Sequence, residues 1–235
     1  MAAQPSPGAR GLPKAAAWVG ALALVFIVVV FAAVRLATDL PNLRGDVAVL
    51  PDEFDFRYAE HPWLAYAHIV PGLVYLLGAP LQMSLRFRSR HLTWHRRIGR
   101  VVLPAGILSG VFAVVFGGLY SFGGWLEASA AIVFGVYFIV ALLTAYRAVR
   151  AGDIQRHRRW MIRAFAMGVA VGTIRLWIGL FEAIGALAVR DAFGTAFWLS
   201  FVMHCAVAEL WLRRRPVGVA TLPVQERPRP LAGAS

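Results

Sequence analysis

Six apolar stretches constrain this chain more than any other feature: about 15–36, 63–84, 101–121, 125–146, 164–187 and 193–212. A helix of roughly 20 residues crosses the hydrocarbon core of a bilayer, where each backbone N–H and C=O must find its partner inside the chain. None of the stretches alternates apolar and polar residues over ten-residue segments, so a helical bundle is expected rather than a barrel of strands. With only 15% charged residues and a mean hydropathy of +0.64, the chain is far more apolar than a soluble domain, which carries about 25% charged residues. The expected fold class is all-α, an integral membrane bundle of six transmembrane helices over 15–212. A disordered N-terminus (1–14) and a disordered basic tail (213–235), both rich in Pro, Gly and Ala, flank it. The first apolar run exceeds the roughly 7–15 residues of a signal-peptide core, so it reads as an uncleaved helix.

The formal charge of +12 is distributed in a pattern that bears on topology. Residues 37–62 carry six acids against Arg44 and Arg57, whereas 85–100 carry six arginines and no acid. Residues 147–163 again carry six arginines, with Asp153 as the one acid. Basic loops alternating with acidic or neutral ones follow the positive-inside rule. The expected location is the bacterial cytoplasmic (inner) membrane, both termini in the cytoplasm and the acidic loop outside. Nucleic acid is not needed to explain the charge. A lone Cys205 excludes an internal disulfide framework or a cysteine-rich metal centre. The phosphate-cradling patterns GxxxxGK[ST] and GxGxxG are absent, which argues against familiar soluble nucleotide sites.

The triplet HRR occurs twice, at His95–Arg97 and His157–Arg159. At that offset Gly106, Gly110, Gly117 and Gly123 fall on Gly168, Gly172, Gly179 and Gly185. The pattern is that of a candidate parallel repeat of helix hairpins three–four and five–six. Gly106/Gly110 and Gly168/Gly172 are GxxxG pairs, which let another helix backbone approach closely.

Polar residues inside the spans mark candidate sites. His61, His68, Tyr75 and Gln82 recur every seven residues on helix two, one stripe drifting about 20° per step. On helix five, Gly172, Arg175, Gly179 and Glu182 share a face. An arginine at mid-membrane costs about 2.5–3.5 kcal/mol on insertion scales, so Arg175 should have a partner: Glu182, a ligand anion, or backbone carbonyls. His204 on helix six lies at a similar depth, so His68, Arg175 and His204 could share a cavity lined further by Tyr75 and Gln82.

Two imidazoles on different helices, with glycine and an arginine nearby, suggest bis-histidine ligation of haem b, Arg175 neutralising a propionate. His95 and His157 form a candidate second pair. A haem-binding membrane electron-transfer protein, acting as an oxidoreductase component with a quinone or other redox partner, is the leading reading. A small-solute or proton-coupled carrier using the mid-membrane His/Arg site is the alternative. A third is a lipid-binding scaffold in which Arg96, Arg97, Arg158 and Arg159 hold anionic headgroups at helix N-termini. A homodimer is compatible with each.

"HIVPGLVYLLGAPLQMSLRFR" (68–88), "HRRIGR" (95–100) and "HRRWMIRAFAMGVAVGTIRL" (157–176) resemble a bacterial family of multipass membrane proteins known as a domain of unknown function. The likeness covers about residues 62–205. Its motifs are a helix-two His and Gln, an HRxxGR box, and an HRRWMxR box followed by an intramembrane Arg. Here these are His68, Gln82, His95, Arg96, Gly99, Arg100, His157, Arg158, Trp160, Met161, Arg163 and Arg175. The resemblance implies a site at these positions and no particular activity. A looser likeness, in helix number and histidine placement, is to di-haem b-type cytochromes of the ascorbate- and ferric-reductase kind. Helix four has no histidine, so their ligand pairing does not transfer.

Overall fold

Runs of Ala, Val, Leu and Phe with few breakers close their own hydrogen bonds as helices, and these dominate the computed structural model, which describes residues 12–43, 57–58 and 60–214. Seven helices occur among them: α1 (Leu12–Leu43), α2 (Pro62–Met83), α3 (Leu85–Arg90), α4 (Leu92–Leu119), α5 (Gly124–Arg150), α6 (Ile154–Ala183) and α7 (Val189–Arg214). All except the six-residue α3 are long and apolar enough to cross a membrane. Most of the flanking segments expected to be disordered, and most of the acidic loop, lie outside the described residues.

Two helices start earlier than the apolar runs suggest. α4 begins at Leu92 rather than near 101, and α6 at Ile154 rather than near 164, so each HRR triplet lies in the first turns of a helix. Arginine is a good helix former, and Asp153 caps α6 by accepting the Arg156 N–H at 2.9 Å. At 28 and 30 residues, these helices run about 42–45 Å, longer than the roughly 30 Å hydrocarbon core. Their ends therefore reach headgroup level. The α5–α6 turn depends on Gly152, whose φ of 78° is the left-handed region that favours glycine.

The chain crosses back and forth, so both described ends, the start of α1 and the end of α7, lie on one face with α3 and the two HRR triplets. We call this the HRR face; the α4–α5 and α6–α7 turns lie on the opposite, far face. α2 packs on α4, α4 on α5, α7 on α5 and α6, and α1 on α6 and α2, while α5 and α6 touch across the middle. The side that meets lipid is apolar, with Val19, Phe26, Leu77 and Val101 at least 59% exposed. Exposed Trp63 and Trp125 at the far ends and Trp94 at the HRR end occupy the levels where tryptophan favours the membrane interface.

The core is built on close approaches at glycine. The Tyr75 ring sits between α4 and α6, where a Cβ at Gly106 would fall 2.6 Å from its Cδ2 and one at Gly168 3.0 Å from its Cε1. Val25, Leu76, Ala79, Val102, Ala141 and Leu142 complete this cluster. Gly172 admits α1, because a Cβ there would stand 2.6 Å from the Leu24 carbonyl oxygen; at Gly179 nothing lies within 4 Å.

Gly172→Ala is expected to cost about 1–3 kcal/mol, the usual penalty of overpacking, since a backbone carbonyl cannot rotate out of the way. Gly179→Ala should stay within about 0.5 kcal/mol of the parent. Thermal unfolding of both variants in one detergent checks the difference.

Candidate functional site

The heptad stripe of α2 faces α4 residue by residue. The His61 ring lies over Tyr120 at 3.9 Å between centroids. Two turns on, His68 Nδ1 is 2.9 Å from the Ser109 carbonyl, and the Ser109 hydroxyl donates to the His68 carbonyl at 2.9 Å. A carbonyl only accepts, so Nδ1 carries the proton and Nε2 is left with its lone pair in the neutral ring. Tyr75 occupies the glycine-lined gap, and the Gln82 Oε1 lies 3.4 Å from where a Gly99 Cβ would be. The stripe is thus a polar seam between two helices.

His204 is engaged at both nitrogens. Its Nδ1 donates to the Ser200 carbonyl at 2.9 Å, and Nε2 lies 3.4 Å from the Thr173 hydroxyl, bridging α7 to α6. α2 and α7 make no contact with one another, so His68 and His204 stand on separated helices. Glu182 is exposed near the end of α6. Among the described residues Arg175 has no hydrogen bond or ion pair; its guanidinium lies over the Phe31 ring of α1 at 5.2 Å.

The HRR face is where distant residues converge. His95 of α4 and His157 of α6 come within electrostatic range of each other, and Arg88 of α3 lies in the field of both. His157 donates Nδ1–H to the Ala145 carbonyl at 2.9 Å, which leaves its Nε2 unprotonated. Burial, and after it the charge of Arg158, pull the Arg88 guanidinium below the usual arginine range. Three buried polar atoms toward this face lack a hydrogen-bond partner among the described residues: Gln82 Nε2, His95 Nδ1 and Arg158 Nε. Arginine does not shed its proton in proteins, so the crowding of cations persists as an unmet attraction for an anion. Of the other HRR arginines, Arg96, Arg97 and Arg159 are exposed, with Arg97 resting over Trp94 at 5.6 Å.

Two ion pairs were not legible in the sequence. Arg163 grips Glu209 with two bonds, Nε–Oε1 at 2.6 Å and Nη2–Oε2 at 3.0 Å, fastening α6 to α7 at the HRR face. At the far face, Glu127 in the first turn of α5 is 3% exposed. It accepts from Arg57 at 3.3 Å and from the Gly123 N–H at 2.5 Å, and Arg57 also donates to the Tyr120 carbonyl. Pairs separated by 46 and 70 residues leave no local spacing signal; the rarity of acids inside apolar runs is the one signal that could have pointed to Glu127 and Glu209. Among the described residues no three His, Cys, Asp or Glu side chains converge as metal ligands.

The family model described as "Predicted membrane protein (DUF2306)" matches residues 65–212, and the chain belongs to that family. The match takes in α4–α7 and nearly all of α2, with both HRR triplets and Arg175; α1 lies outside it. No curated protein and no solved structure matches the chain.

Removing one partner of a buried ion pair costs about 3–5 kcal/mol. Glu127→Ala should therefore destabilise the protein by about 3 kcal/mol, because Arg57 and the Gly123 N–H lose the carboxylate that both use. Glu182→Ala, at an exposed position, should stay within about 0.5 kcal/mol. Unfolding in mixed micelles with increasing SDS ranks the two.

Proposed function

We propose that this member of the family is a protein of the bacterial cytoplasmic membrane that binds a phosphate- or carboxylate-bearing headgroup at the HRR face. The arginine-rich end would lie in the cytoplasm, as the positive-inside rule asks. One observation carries the reading: Arg88 of α3 lies in the charge field of His95 on α4 and of His157 and Arg158 on α6, while at the same end Gln82 Nε2, His95 Nδ1 and Arg158 Nε are buried without a hydrogen-bond partner among the described residues. A phosphate offers several acceptor oxygens and a negative charge, and arginine nitrogens, an amide NH2 and an imidazole N–H are its usual donors. A solvated collar of arginines would instead leave these groups turned to water, as Arg96 and Arg159 are. The headgroup reading takes up both HRR triplets and the helix-two glutamine together.

A second reading, haem b held between His95 and His157 in a redox role, draws support from the posture of His157. An imidazole whose Nδ1–H is fixed on a carbonyl presents Nε2 as an axial ligand would.

The detergent-purified protein, titrated with phosphatidylglycerol and with inorganic phosphate, separates the two. Arg158→Gln and His95→Gln should each weaken anion binding at least 10-fold, about 1.4 kcal/mol, with Arg158→Lys in between. Unchanged affinity in both glutamine variants would sink the headgroup reading. A reduced-minus-oxidised spectrum with b-type bands that His157→Ala removes would replace it with the haem reading.

A further inference from the structure

The other half of the bundle holds a second inward cation with no carboxylate partner among the described residues. Arg175 lies on α6 two turns before Glu182, within the membrane span, and is only partly exposed. Tyr58, Arg57, Glu127 and Arg35, all toward the far face, lie within electrostatic range of its charge. Glu127 is the carboxylate of that group, and both of its oxygens are already engaged by Arg57 and Gly123. The contact Arg175 does make, with the face of Phe31 on α1, satisfies its charge in part, and among the described residues its N–H donors have no hydrogen-bond partner.

The glycines on the same face of α6 show the shape of the space. At Gly172, one turn before Arg175, α1 presses so closely that a Cβ would meet the Leu24 carbonyl. At Gly179, one turn beyond, a Cβ would meet nothing within 4 Å, and the residue is exposed. Among the described residues, α1 and α6 therefore touch below Arg175 and leave open space, a notch, above it. Phe31, 50% exposed, forms the α1 side. The notch opens sideways, where the protein meets lipid.

We propose that this notch is a lipid site: Arg175 binds the phosphodiester of an anionic phospholipid in the far-face leaflet, with the acyl chains lying along α1 and α6. The guanidinium supplies paired N–H donors to the phosphate oxygens, the missing side chain at Gly179 makes room for the headgroup, and Phe31 covers the cation from the bilayer side. The lipid, rather than a side chain, is then what offsets the placement of an arginine in the span. This site is independent of the one at the HRR face, being formed by α1 and α6 near their far ends.

Native mass spectrometry of the full chain, titrated with phosphatidylglycerol and with phosphatidylcholine as the uncharged control, reads the site directly. Arg175→Gln should weaken one phosphatidylglycerol adduct at least 10-fold, and Arg175→Lys should retain part of it. Gly179→Leu fills the notch without touching the charge or the α1 contact, and should abolish the same adduct. Arg158→Gln should leave it in place, which keeps the result separate from binding at the HRR face. Retention of the adduct in both Arg175→Gln and Gly179→Leu overturns the proposal. So does its displacement by inorganic phosphate in an Arg175-dependent way, which would assign the notch to a free anion. Where Arg175→Gln does not fold, Gly179→Leu and adduct mapping with a photoactivatable phosphatidylglycerol decide. Labels at Phe31 and the 176–180 turn support the site, and labels confined to the HRR face overturn it.

Discussion

The absence of water inside a bilayer governs how this molecule is built. Every donor and acceptor carried into the span must be satisfied by the chain or by a ligand, since an unmet group costs several kcal/mol there. Most polar side chains in the bundle obey this by fastening one helix to another. Ser109 and His68 close a two-bond link between α4 and α2, His204 ties α7 to α6, and the Trp198 indole donates to the Leu126 carbonyl at 3.1 Å, joining α7 to α5. Glu127 gathers Arg57 and the N–H that precedes α5, where the positive end of the helix dipole also favours a carboxylate. These residues look like chemistry in a sequence, and in the fold each of them also joins one segment of the chain to another. The groups that break the rule stand out against this background.

Between lipid and protein there is little hydrophobic driving force for helices to associate, so close packing has to supply it. Tyr75 shows how. Its ring is 2% exposed and passes between the backbones of α4 and α6 because Gly106 and Gly168 carry no side chains to block it. One aromatic ring thereby registers three helices at once, and the depth of His68 and Gln82, two turns away on either side, follows from it. α1 is held more lightly, through the Leu24–Gly172 approach and a few core residues such as Val25. Most of its surface faces lipid, and it lies outside the segment that defines the family.

Much of this architecture is legible in the sequence because bilayer thickness and charge asymmetry write themselves into hydropathy and arginine counts. The six spans and the common face of the HRR triplets come from that source. The seven-residue stripe on α2 was readable as a polar face, though not that α4 would cover it. What spacing alone could not give are contacts between residues far apart in the chain. His95 and His157 read as equivalent helix starts, but their approach to each other and to Arg88 depends on how α3 folds against α4. Glu182 was one of the candidate partners of Arg175, beside a ligand anion and backbone carbonyls, because both residues lie on one helical face. Two turns of helix, about 10 Å, separate them, and Glu182 faces outward at the end of α6.

Exposure divides the arginines of this chain into two kinds, and charge counting treats them as one. Arg96, Arg159 and Arg213 are turned outward at the HRR face, where headgroups and water screen them at little cost. Arg57, Arg158, Arg163 and Arg175 are drawn inward, where screening is weak and a specific partner is required. Arg163 has Glu209 and Arg57 has Glu127. For Arg158 and Arg175 no carboxylate among the described residues plays that part; Arg158 Nε, like Gln82 Nε2 and His95 Nδ1, is buried without a hydrogen-bond partner among them, and a Cβ at Gly179, one turn beyond Arg175, would meet none of them within 4 Å. A bilayer offers such cations an abundant phosphate at either surface. Inward arginines without carboxylates among the described residues are therefore the positions at which the two lipid sites are proposed.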